Sequence, residues 1–65
     1  MKFEIIDTTD NKHEGEIVEF EGNILPGTDL QYKEVLIKIE QVTWVNSTTV
    51  KLISSNYIAV LRLIG

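Results

Sequence analysis

The sequence predicts an all-β domain, a small five-stranded antiparallel barrel or a strongly curled sheet. Three observations carry this. β-Branched and aromatic residues gather in short runs, which suits a pleated, half-buried backbone. Clusters of Asp, Asn, Ser, Thr and Gly separate those runs at short intervals, as turns require. The chain has 65 residues and no cysteine, so it holds one domain, residues 1–65, with no disulfide to brace it. A chain of this size buries only about 60% of the surface that its unfolded form exposes. Wrapping strands round a common interior is then the economical solution, because it leaves few open edges.

The elements follow in order. Phe3, Ile5 and Ile6 lie in a β-prone run over residues 2–7, and Asp7-Thr8-Thr9-Asp10-Asn11 supplies turn formers. A second run covers residues 15–21. Alternation there puts Val18 and Phe20 on one face and Glu19 and Glu21 on the other. These two runs read as an antiparallel pair joined by a polar loop. Pro26-Gly27 suits the centre of a type II turn.

Two periodicities compete over residues 29–41. Tyr32, Val35, Leu36, Ile39 and Val42 fit a helical face, whereas Val35, Ile37 and Ile39 alternate as in a strand. The strand reading is preferred, because Ile37 spoils the polar face of a helix and β-branched residues crowd the segment. Apolar parity shifts from odd to even positions near Glu40-Gln41, which predicts a bulge or kink. Asn46-Ser47 reads as a tight hairpin and Ser54-Ser55-Asn56 as a further polar break. The run from Tyr57 to Ile64 is apolar at both parities, so it is either buried on both faces or exposed for a partner.

Two stretches resemble the Src homology 3 family. Glu16-Ile17-Val18-Glu19-Phe20-Glu21-Gly22-Asn23-Ile24-Leu25 is similar to its acidic strand and following turn. Ser54-Ser55-Asn56-Tyr57-Ile58 is similar to the segment that makes a single helical turn before its last strand. The resemblance implies an SH3-like small barrel, and it implies groove positions at Trp44 and Tyr57. The early tyrosine-rich stretch and the groove proline of that family are missing here, with Phe3-Glu4-Ile5-Ile6-Asp7 and Ser54 in their places.

Composition narrows the function. Hydrophobic residues make up 43% and charged residues 25%, which is globular rather than disordered. No apolar run approaches the roughly 20 residues of a membrane span, and Met1-Lys2 leads straight into charged sequence rather than a leader. A cytoplasmic location is expected, with no membrane partner. The formal charge is −4, unevenly placed. Residues 1–34 hold nine acids against three bases, and residues 35–65 one acid against three bases. The bases are scattered, so direct nucleic-acid binding is not expected.

No catalytic set stands out. His13 is the only histidine, lies in a polar turn and reads as a solvated loop residue, and no ligand spacing suits a metal. No cofactor is implied. The chain is therefore expected to be a non-enzymatic protein-interaction module. Its acidic face, with Glu16, Glu19 and Glu21, would meet a basic surface on a protein partner. Trp44, Tyr57 and Tyr32 are its candidate aromatic contacts, with burial in the core as the competing role for Trp44. Self-association to a homo-oligomer is expected through Tyr57, Ile58, Val60, Leu61 and Leu63. The alternative reading is a phage or mobile-element accessory protein that sequesters a small ligand or inhibits a host nucleic-acid enzyme.

Overall fold

The computed structural model describes the backbone of residues 1–32 and 35–65 and the side chains of residues 1–31 and 36–65. Among the described residues, seven strands run in chain order: β1 (Lys2–Thr8), β2 (Ile17–Glu19), β3 (Asp29–Tyr32), β4 (Val35–Lys38), β5 (Gln41–Trp44), β6 (Thr49–Ser54) and β7 (Tyr57–Leu63). Five form one antiparallel sheet in the order β2-β1-β7-β6-β5. The other two, β3 and β4, pair with each other, with Leu30 opposite Ile37. The all-β expectation therefore stands, and within residues 29–41 the described residues hold strands β3, β4 and the start of β5 and no helix.

The closed five-stranded barrel does not form. The larger sheet stays open, ending at β2 on one side and β5 on the other. The chain between β2 and β5 adds no strand to this sheet and makes the separate β3–β4 ribbon instead. The sheet is nevertheless strongly curled. Strands β1 and β5 are third neighbours, about 14 Å apart in a flat sheet. Yet the rings of Phe3 on β1 and Trp44 on β5 have centroids only 6.2 Å apart.

Alternation along the strands builds the interior. Phe3, Ile5, Val18, Val50, Leu52, Ala59 and Leu61 share the concave face and are buried. Leu30 from the ribbon and Phe20, Ile24 and Ile39 from flanking segments close over them. Phe20 meets Phe3 edge to face at 5.7 Å, the arrangement favoured by ring quadrupoles. A register shift between Ile5 and Asp7 makes Ile6 an extra residue in β1. The shift carries inward parity from Ile5 to Thr8, the one buried polar residue among those described. Strand β7 lies at the centre of the sheet, paired with β1 and β6.

The turns follow their chemistry. The Thr28 N–H donates to the Leu25 carbonyl at 3.0 Å across Pro26-Gly27, and Gly27 has a φ of 92°, the positive value that a type II turn requires at its third residue. Asn46 Oδ1 accepts from the Thr48 N–H at 2.9 Å and organises the β5–β6 connection. At Glu40-Gln41, where parity changes, the Glu40 N–H donates to the carbonyl of Ile53, the register partner of Gln41. The segment likened to a helical turn is a two-residue hairpin turn instead. Ser54 pairs with Tyr57, and Ser55 has a φ of 49°.

Candidate functional site

The connection between β1 and β2 and the edge strand β2 form one acidic margin of the molecule. Its scaffold begins at Thr8, which the bulge at Ile6 turns inward. Thr8 Oγ1 donates to Asp10 Oδ1 at 2.9 Å, with Glu14 Oε1 as a second acceptor at 3.3 Å. Asp10 Oδ1 also accepts from the Lys12 N–H at 3.2 Å and from the Tyr57 hydroxyl at 3.2 Å. The carboxylate thereby ties the loop to β1 and β7.

Partial desolvation raises the Asp10 pKa. The hydrogen bonds from Thr8, Lys12 and Tyr57 and the nearby His13 more than offset that, and the carboxyl is held below its ordinary 3.8. His13 is half-buried rather than freely solvated. Its Nδ1 lies 2.6 Å from Glu16 Oε2 and its Nε2 lies 3.5 Å from Asp10 Oδ2, so the ring spans two carboxylates. The loop closes where the Gly15 N–H donates to the Ile5 carbonyl and the Ile5 N–H to the Glu16 carbonyl.

The predicted acidic residues divide between two roles. Glu16 is half-buried and engaged with His13. Glu14, Glu19 and Glu21 are exposed. Glu19 stands opposite Lys2 in the β1–β2 register. Glu4, next along β1, is ion-paired with Arg62 at 2.6 Å.

The aromatic candidates are dispersed. Trp44 is 44% exposed, because β5 is an edge strand and no neighbour covers its outer side among the described residues. One side of its ring still rests on Phe3, so it joins the core in part. Tyr57 is half-buried against the core, with its hydroxyl on Asp10. Tyr32 ends β3, and its side chain lies outside the described residues.

The self-association set also divides. Leu61 is fully buried, and Leu63 and Tyr57 pack against the core. Ile58 and Val60 turn to the convex face, where with Asp7, Thr8, Thr9 and Lys51 they line an open groove of about 350 Å³. Both edges of β7 are already hydrogen-bonded, so this strand has no free edge for a second copy.

The chain matches no family model, no curated protein and no solved structure. Its function is therefore argued from its own geometry. Among the described residues there is no group of three or more His, Asp or Glu side chains placed to hold a metal ion. No helix is long and apolar enough to cross a membrane.

Sequence reading missed the roles of Asp10 and His13. No local pattern announces them, because an irregular loop has no fixed side-chain period.

Proposed function

We propose that this chain is a non-enzymatic protein-interaction module whose acidic margin docks a basic surface on a protein partner. One observation carries the reading: Glu14, Glu19 and Glu21 are presented on a margin whose supporting carboxylates, Asp10 and Glu16, are already fixed by Thr8, Tyr57 and His13. The exposed carboxylates thus stand on an ordered loop and edge strand, which favours a charge-complementary contact. The likeness of residues 16–25 to the Src homology 3 family fits the same class of function, although residues 54–58 form a hairpin turn rather than that family's helical turn.

The test is affinity capture with wild-type chain and with a Glu19→Lys/Glu21→Lys variant, each over a salt series. Both substitutions are at exposed positions, so the fold is retained. A partner held by this margin is released as salt rises, because exposed charges are screened. It is also not recovered by the variant. Equal recovery by the two proteins, or recovery indifferent to salt, overturns the reading.

A further inference from the structure

We propose that β5 is a pairing edge for a second copy of this chain, in a two-fold antiparallel arrangement centred on Thr43. The five-stranded sheet has two edges, and they differ. The β2 edge is bordered by Glu16, Glu19 and Glu21, and charge is a recognised guard against strand pairing. The β5 edge has no charge within the strand, and the exposed Glu40 that precedes it falls opposite the uncharged Asn46 in a pairing centred on Thr43. Gln41, Val42, Thr43 and Trp44 carry no charge, nor does Val45 beyond them, and Trp44 and Val45 are 44% and 63% exposed.

The register makes this edge self-complementary. The Val45 N–H donates to the Thr49 carbonyl at 2.9 Å. Hydrogen-bonded positions alternate along an antiparallel pair, so Thr43 and Gln41 also bond inward to β6. The N–H and C=O groups of Val42 and Trp44 therefore point away from the sheet. A two-fold axis through Thr43 sets Val42 of one copy opposite Trp44 of the other, and the converse. Both pairs exchange main-chain hydrogen bonds, and Thr43 faces Thr43. Trp44 and Val42 share the concave side, so the part of each indole not resting on Phe3 falls on the same face as the other copy's Val42. In this register a second copy brings no like charges together, since Gln41 falls opposite Val45 and Glu40 opposite Asn46.

The test measures mass against concentration by sedimentation equilibrium. An interface this small is weak, so the series runs up to roughly millimolar protein. The wild type should move from 7.4 kDa towards twice that mass, with a concentration-dependent blue shift of Trp44 emission. Thr43→Lys sets two ammonium groups opposite each other, beside Lys51 on the neighbouring strand, and should hold the chain monomeric with unchanged circular dichroism. Adding the Thr43→Glu variant should recruit the lysine variant into a mixed pair. A wild type that stays monomeric throughout overturns the proposal. So does a Thr43→Lys variant that pairs like the wild type, or a glutamate variant that fails to recruit it.

Discussion

Leu61→Ala separates a core role from a contact role for the central strand. Leu61 is fully buried, with Ile5 beside it on β1 and Val50 on β6. Truncation to alanine removes three carbons, a transfer loss of about 2.4 kcal/mol at about 0.8 kcal/mol per methylene. The hole adds to this. Both neighbouring strands are held in register, so the site collapses poorly, and the whole cost should be about 3–4 kcal/mol. A domain of 65 residues has a total stability of about 3–10 kcal/mol. The substitution therefore removes a large share of what holds the fold. Urea unfolding followed by circular dichroism reads this directly. With a slope near 1 kcal/mol per molar, the midpoint should fall by about 3 M, or the variant should be unfolded without denaturant. A loss under about 1 kcal/mol would refute the placement of Leu61 in a tightly packed interior.

Two other outcomes check the loop and the turn. Asp10→Asn should lower stability at neutral pH. The folded-state pKa lies below 3.8, so the carboxylate's contribution is fully present above that value and is lost as pH falls through the folded pKa; the gap between the two proteins should close in acid, as read from urea midpoints over a pH series. Gly27→Ala should cost about 1 kcal/mol through its positive φ alone, because an added Cβ meets nothing within 4 Å, whereas Gly22→Ala, with equal space and no positive φ, should be neutral or slightly stabilising in thermal melts.

Much of the fold was legible because its signals are local. The alternation of Val18 and Phe20 against Glu19 and Glu21 places the first two in the core and the others outside. Pro26-Gly27 forms the turn its chemistry demands, and the parity shift at Glu40-Gln41 falls between β4 and β5. What stayed hidden depends on distant neighbours. Residues 29–44 hold three strands, β3, β4 and β5, yet no glycine or asparagine in that stretch announces a break between them. The bulge at Ile6 is invisible in an apolar pair, yet it decides that Thr8 faces inward. The apolar tail was rightly ambiguous: β7 is central, with Ala59 and Leu61 buried and Ile58 still 37% exposed on the other face. The acidic margin was visible as composition. The bridging of Asp10, His13 and Glu16 was not, because it requires the loop to be folded.

The position of β7 also governs how the molecule assembles. Hairpins β1–β2 and β6–β7 can each form from nearby residues, but the sheet exists only once β1 docks on β7, joining residues such as Glu4 and Arg62 that are 58 positions apart. Closing a loop of that length opposes docking by roughly 3.5 kcal/mol before any burial repays it. Folding should therefore be slow for so small a protein and all-or-none in character. A truncation just before Tyr57 removes the middle of the sheet rather than its border, and leaves the β1–β2 and β5–β6 pairs with nothing to join them.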